Sequence, residues 1–347
     1  MMFLLHRRKE NPMKKIGILG CGWGTALAIH SFSCGHAVTL WSPFENEINS
    51  IKKNRQSPVL AGVLIPDDIF LTSDISDIAD ADIIIFATPS FAIRETAMLL
   101  AGKIGKKTIL VNAAKGMEKN TYLRLSQVIN QELPDNPVVV LSGPSHAEEV
   151  ARGVPTLLVA AGTDKAAAHT IQTALMNEAL RIYTSPDITG VEISGALKNI
   201  IALAGGIVDG LSLGDNTKAA LITRGLIEIS RLGVIMGGKQ ETFYGLAGIG
   251  DLIVTCMSVH SRNHRCGVLL GQGMPLEYAE KQIGMTVEGV FAAEIAYNLS
   301  KKYKISNPLI DSCYDLLYNG KSVKTMMQKL MTREIRDETE QAWVENA

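Results

Sequence analysis

The chain has 347 residues, 46% hydrophobic and 20% charged, which is length enough for two cores and a composition that excludes a fibre or an unfolded polypeptide. With 34 basic and 35 acidic residues the net charge is -1, so no global field favours nucleic acid or an anionic membrane, and any bound anion must be met by a local site. The five cysteines, Cys21, Cys34, Cys256, Cys266 and Cys313, are odd in number, scattered and without metal-type spacing, which points to a reducing cytoplasm and no metal centre.

The opening MMFLLHRRKENP sets a few apolar residues before a basic patch, the reverse of a secretory signal. Residues 1–12 are therefore left out of the expected fold as an N-terminal extension, with Met13 a candidate start. No apolar run of membrane-spanning length is read anywhere, so no stable membrane insertion is expected. From Lys14 to about Pro186 the chain alternates helix-length stretches with apolar, β-rich runs: KKIGILG, AVTLW, DIIIFATP, KTILVNAAKG, PVVVLSGPS and TLLVAAG. Continuous Val/Ile/Leu runs of this kind predict a parallel sheet covered on both faces. Beyond Pro186 the texture becomes helical with glycine punctuation. The expected architecture is α/β: a Rossmann-type doubly wound parallel sheet over residues 13–190, then an all-helical domain over 191–347. The closing TREIRDETEQAWVENA reads as a frayed, charged helix.

The first strand runs into GILGCGWGTALA, a glycine turn opening a helix. In the dinucleotide fingerprint G-x-G-x-x-G, the glycines supply a tight turn, close approach of backbone to a pyrophosphate, and close packing of helix on strand. Gly20 and Gly22 take the first two places, and Gly24 comes one position early. Nucleotide binding is expected from a shortened loop, since a helix N-terminus still offers free N–H groups. At the end of the second strand, TLWSPFENE has neither the usual ribose-binding acid nor an arginine for a 2′-phosphate. Glu45 is a candidate ribose ligand, but Ser42-Pro43-Phe44-Glu45 fits a capping box better, with proline at the first helical position. NADH against NADPH stays open.

Lys115 follows the strand TILVN, and SGPSHAEEV at 142–150 follows another, at the strand ends where open α/β sheets bind ligands. In VEISGALKNIIALAGG, helical spacing puts Lys198 on one stripe with Val191, Ser194, Gly195, Ile201, Ala202 and Gly205. A cation amid small apolar neighbours leaves room for another molecule to approach its ammonium. Asp251 enters an apolar run after GLAGIG, where a carboxylate needs a partner and a lysine is the natural one. Ser261 is placed to cap a helix beginning Arg262-Asn263, a local anion site that needs no global charge.

The segments GTALA, SGPSHAEE, GALKNIIALAGGI, GDNTKAALITRGL, GIGDLIVTC, HSRN and VEGV, in this order from about Lys14 to about Asn319, resemble the bacterial NAD(P)-dependent glycerol-3-phosphate dehydrogenases. The resemblance implies reversible reduction of dihydroxyacetone phosphate to sn-glycerol 3-phosphate, a phospholipid precursor, with NADPH or NADH, in a cytoplasmic homodimer. Carried over, Lys198 is the general acid and base. Lys115, Gly143, Ser145, Asp251, Ser261, Arg262 and Asn263 are substrate contacts, with Lys115 and Arg262 also near the cofactor. Trp23, Ala147 and Glu288 match further cofactor positions. The chain departs from the family where GxGSWGTALA loses its serine, and where Pro43 and Phe44 stand in place of basic residues. Two rival readings are a two-domain β-hydroxyacid dehydrogenase of the 6-phosphogluconate type and a nucleotide-sensing protein without turnover.

Overall fold

A computed structural model describes residues 12–57 and 60–332; the expected extension up to residue 11 and the charged run after Thr332 lie outside them. One sheet is built from β1 (Lys15–Leu19), β2 (Ala37–Trp41), β3 (Phe70–Thr72), β4 (Ile83–Phe86), β5 (Ile109–Asn112), β6 (Val138–Ser142), β7 (Thr156–Ala161) and β8 (Leu180–Ser185). Their order is β3-β2-β1-β4-β5-β6-β7-β8. All six predicted runs are strands. The sheet is not wholly parallel, however, because β7 returns antiparallel to β6, pairing Val140 with Ala161 and Ser142 with Val159. An apolar run states that a strand is covered on both faces but not which way it points. β3 and β8 were outside the predicted set: one is only three residues long, and the other is an edge strand of alternating exposure.

Six helices accompany the sheet: α1 (Trp23–Ser33), α2 (Glu45–Asn54), α3 (Ile93–Leu100), α4 (Leu125–Glu132), α5 (Ala147–Ala151) and α6 (Lys165–Leu175). Leu27, Ile48 and Ile171, from α1, α2 and α6, share one core with Ile18, Ile85 and Val111. Ile93, Ala97 and Val128, from α3 and α4, share another with Leu19, Ile84 and Phe86. Strand neighbours such as Ile84 and Ile85 thus face opposite cores, which is why these runs are apolar throughout. The chain leaves β1 toward β2 on one side and resumes at β4 on the other, so a crevice opens at the carboxyl ends of β1 and β4.

The remainder is helical: α7 (Ile188–Gly210), α8 (Gly214–Ile235), α9 (Gln240–Phe243), α10 (Asp251–Met257), α11 (Arg262–Gly271), α12 (Leu276–Ile283), α13 (Glu288–Lys302), α14 (Pro308–Tyr318) and α15 (Val323–Met331). Every residue of α7 from Gly190 to Val208 is buried. By length and composition this helix is long enough to cross a membrane, contrary to the reading above, yet its apolar window lies wholly inside the protein. It is a helix apolar all round because other helices and the sheet surround it.

Two contacts fix where α7 stands. Its Glu192 carboxylate receives Arg124 Nη1 at 2.6 Å, Ser126 N–H at 2.8 Å and Asn112 Nδ2 at 3.2 Å, which fastens α7 to the end of β5 and the start of α4. Against α11 the backbones touch. A Cβ on Gly206 would lie 2.0 Å from the His264 carbonyl oxygen, and one on Gly267 would lie 2.0 Å from that of Leu203. Only glycine allows this approach.

Candidate active site

The turn between β1 and α1 is Gly20, Cys21 and Gly22 alone. Gly20 has φ +105°, and a Cβ there would meet the Ala87 carbonyl oxygen at 2.9 Å, so the position requires glycine. Gly22 is the N-cap of α1, and its missing Cβ would face open space with nothing within 4 Å. Gly24 lies in the first turn of α1, where a Cβ would come 3.0 Å from Ile18 Cγ2 and 3.3 Å from Ala87 Cβ. The shortened loop therefore starts its helix early and keeps the close helix–strand packing of the usual third glycine. No side chain caps α1; Thr25 N–H is taken by the Gly22 carbonyl at 3.1 Å, which leaves the N–H groups of Trp23 and Gly24 at the helix start, a cradle that fits a pyrophosphate. Trp23 and Ala147 pack with Ala26, Leu60, Val63 and Val150, joining the start of α1 to α5.

At the end of β2 the expected capping box does not form. α2 begins at Glu45, too late for Glu45 to reach back to Ser42, and its N-cap, Phe44, makes no side-chain cap. Ser42 Oγ instead donates to Glu47 and accepts from Phe44 N–H at 3.3 Å. Glu45 is exposed.

Lys198, Lys115 and Asp251 converge. Lys198 sits mid-way along α7, 5% exposed, and its Nζ donates to Asp251 Oδ1 and to Thr255 Oγ1. Lys115, from the loop after β5, donates through Nζ to Asp251 Oδ2 at 2.8 Å and to the Gly143 carbonyl at 2.9 Å. One buried carboxylate thus holds two ammonium groups, each with a third N–H still to place. Burial pushes the Lys198 amine down to about 7, and the charge of Lys115 adds to that, while Asp251 opposes it. Asp251 follows a π-helical turn at Leu246–Gly250 that leads into α10, and a Cβ on Gly248 would strike the Phe243 carbonyl oxygen at 2.0 Å.

The room expected around Lys198 is partly filled by protein. A Cβ at Gly195 would meet Ser142 Oγ at 3.0 Å and Lys115 Cγ at 3.6 Å, and one at Gly205 would meet Cys256 Cβ at 3.8 Å. The small stripe lets Lys115 and α10 close on α7 rather than admitting a ligand along its whole length. Ser145 Oγ donates to the Gly143 carbonyl at 2.9 Å, so Ser145 and Lys115 share an acceptor. Gly143 itself has φ +141°, the conformation that aims its carbonyl at them.

At the start of α11, Ser261 Oγ accepts the His264 N–H at 3.2 Å, the predicted cap. Arg262 is half-buried and makes no hydrogen bond or ion pair among the described residues; burial lowers its guanidinium, and the charges of Glu288 and Glu148 oppose this. The Asn263 side chain is already occupied: Nδ2 donates to Asn199 Oδ1 at 3.0 Å, and Oδ1 accepts Gly289 N–H at 2.8 Å. It ties the residue next to Arg262 to those next to Lys198 and Glu288, so its N–H rather than its amide is open to an anion. Glu288 accepts from Ser90 Oγ at 2.7 Å and Ser90 N–H at 3.1 Å. Burial raises its carboxyl, and it links α13 to the loop after β4.

Three site neighbours escaped the sequence reading. Thr255, one turn after Asp251, carried its signal in the four-residue spacing. His146 is held by burial and by the charges of Lys198 and Lys115 toward its neutral form. Glu47 was passed over for Glu45.

Residues 15–168 match the family described as NAD-dependent glycerol-3-phosphate dehydrogenase N-terminus, and residues 187–328 match its C-terminus. The chain belongs to this family. A relative from Desulfitobacterium hafniense, glycerol-3-phosphate dehydrogenase [NAD(P)+], is 48% identical over 95% of this chain and 94% of its own length. One of the same name from Fusobacterium nucleatum is 49% identical over 95% of this chain and 100% of its own. Among solved structures, glycerol-3-phosphate dehydrogenase from Coxiella burnetii superposes with TM-score 0.89 at 36% identity, covering 92% of this chain and 99% of that one. Both halves of the family are thus present, with residues 169–186 between the two matches.

Proposed function

We propose that this chain catalyses reversible, NAD(P)H-dependent reduction of dihydroxyacetone phosphate to sn-glycerol 3-phosphate. The observation that carries this reading is a buried lysine, Lys198, sharing the Asp251 carboxylate with Lys115 from the end of β5, in a fold that also has a glycine turn after β1 and a capped helix start at Arg262. When bound, the reduced nicotinamide supplies the hydride. Gly20, Gly22 and Gly24 shape the turn that would hold its pyrophosphate, with Trp23, Ala147 and Glu288 around it.

Hydride arrival at C2 of the ketone builds charge on its oxygen. Lys198 gives a proton from Nζ to that oxygen and is left as a neutral amine; in the oxidative direction it takes the proton back. An amine near 7 exchanges protons close to neutral pH, whereas one at its ordinary value of 10.5 would be a poor base. Asp251 aims the ammonium and keeps it charged enough to act. Lys115 adds positive potential, with Gly143 and Ser145 fixing its direction. Arg262 and the N–H groups following Ser261 hold the phosphate, whose binding energy orients C2. The Asn263–Asn199 hydrogen bond keeps that anchor in register with Lys198.

We also read the chain as a nucleotide-binding domain over residues 13–190 and a substrate domain over 191–347, working in the cytoplasm as a homodimer that supplies a phospholipid precursor. Five free thiols support the reducing compartment. The test is the initial rate of dihydroxyacetone phosphate reduction with NADH and with NADPH, alongside Lys198→Ala. Turnover that depends on Lys198 supports the reading. Its absence with both cofactors in folded protein, or turnover with 6-phosphogluconate instead, overturns it.

A further inference from the structure

Cofactor choice in a dinucleotide fold is made at the end of β2, where an acid accepts the ribose hydroxyls or a base pairs a 2′-phosphate. Here the first glycine of the loop donates its N–H to the Trp41 carbonyl at 2.8 Å, so the turn lies directly beside the last residue of β2. Glu47, from the first turn of α2, folds back over this junction and is tethered by Ser42 Oγ. Ser42 is 2% exposed and bonded through its backbone to β3, so the tether is rigid. The thiol of Cys21, the residue between the first two glycines, lies against both side chains; burial and the Glu47 charge push it up. A carboxylate offers about four acceptor sites, so beyond Ser42 Oγ and the neighbouring Cys21 thiol Glu47 keeps acceptor capacity.

The two segments that follow β2 and β3 carry one sign. Residues 42–47 and 73–78, which follow β2 and β3, contain Glu45, Glu47, Asp74 and Asp77 and no Lys, Arg or His. The arginine at the far end of α2, Arg55, is committed to the carbonyls of Pro66 and Ile69 and to Asp67.

We propose that Glu47, positioned by Ser42, is the residue that selects NADH over NADPH in this chain, by accepting the adenosine ribose hydroxyls and repelling a 2′-phosphate. The position matches the chemistry because the ribose hydroxyls are read at the end of the second strand, and Glu47 is held there beside the glycine turn. A 2′-phosphate there meets a fixed carboxylate, with no cation on either flanking segment, 42–47 or 73–78, to pair it. The proposal rests on the dehydrogenase reading only in that the glycine loop holds a nicotinamide dinucleotide.

Calorimetric titration with ADP-ribose and with 2′-phospho-ADP-ribose separates the two, since neither fragment reacts. Wild-type protein binds ADP-ribose roughly tenfold or more tightly than its 2′-phosphorylated form, and Glu47→Gln narrows that ratio by about tenfold. Ser42→Ala, which frees the carboxylate without removing it, narrows the ratio partly. The kcat/KM values for NADH and NADPH follow the same order. Equal binding of the fragments, preference for the phosphorylated one, failure of both to bind, or an unchanged ratio in Glu47→Gln overturns the proposal. Selective binding of ADP-ribose by a protein that fails to reduce dihydroxyacetone phosphate leaves it standing and removes the proposed activity instead.

Discussion

Asp251→Asn tests the proton-transfer assignment most sharply, because Asp251 is the one group that holds Lys198 toward its charged form while burial and Lys115 push it the other way. The substitution keeps the shape and removes the anion. At an effective dielectric of about 20, a unit charge some 4 Å away is worth about 4 kcal/mol, an upper bound that the asparagine dipole partly replaces. The Lys198 amine should therefore fall roughly one to two pH units below its starting value of about 7. In ketone reduction Lys198 acts as the acid, so kcat declines as pH rises through its pKa, and the variant's decline must come at lower pH. At pH 7.5 roughly 3% of Lys198 stays protonated in the variant for a one-unit fall and about a tenth of that for two units, against roughly a quarter in the wild type, a loss of about tenfold to a hundredfold. Acidification recovers that part of the loss. The assay is single-turnover or steady-state reduction across pH 5 to 9 with saturating substrate. A midpoint that stays put or moves to higher pH would refute the account of how Asp251 acts. Urea titration gives a second reading: the variant loses up to about 3–5 kcal/mol where both lysines remain charged, and less where Lys198 can discharge.

Lys198→Ala should lower kcat by about a hundredfold to ten-thousandfold while changing the Michaelis constant for dihydroxyacetone phosphate little, the pattern of a lost proton donor. Arg262→Ala should raise that constant by tenfold or more and leave turnover of unphosphorylated dihydroxyacetone unchanged; equal losses on both substrates would mean a folding defect instead. Gly206→Ala sets a methyl 2.0 Å from a backbone oxygen of α11, which cannot step aside, so roughly 1–3 kcal/mol of stability should go, read by denaturant titration. Glu228, buried in α8, accepts Leu309 N–H at 2.9 Å and Ile310 N–H at 3.0 Å at the start of α14, and burial raises its carboxyl to about 7. The folded state then binds the extra proton between the ordinary value of 4.5 and about 7, so Glu228's contribution to stability falls as pH rises through that window. Glu228→Gln should flatten this slope in melting temperature against pH, and a slope that persists would assign it to another group.

Much of the site was legible because its chemistry is local. Ser261 caps the helix that begins at Arg262, and Gly20 and Gly24 answer to steric demands of a turn that the strand-to-helix pattern already announces. Asp251 was readable as a buried acid in want of a cation, since an unpaired carboxylate in an apolar run is too costly to keep. The capping box at Ser42 failed for the opposite reason. Two hydrogen-bonding partners within five residues, Glu45 and Glu47, differ by only where α2 starts, and that start is decided by how α2 docks on the sheet through Ile48 and Ile51. Asn263 was assigned to the substrate, yet its amide lies between Asn199 and Gly289, neither near it in sequence.

The sequence by itself determined the α/β architecture, the passage from sheet to helices near residue 190, the glycine turn, and the presence of a buried acid that must find a cation. Period and apolar content suffice for these because they state which faces must leave water. Only the tertiary structure decided that β7 runs antiparallel, that Lys115 and Lys198 share one carboxylate, and that small residues of α7 admit the close approach of Lys115, α10 and α11. These are relations between segments up to 136 residues apart, and they depend on which of several sterically acceptable approaches gives the closest packing of the whole.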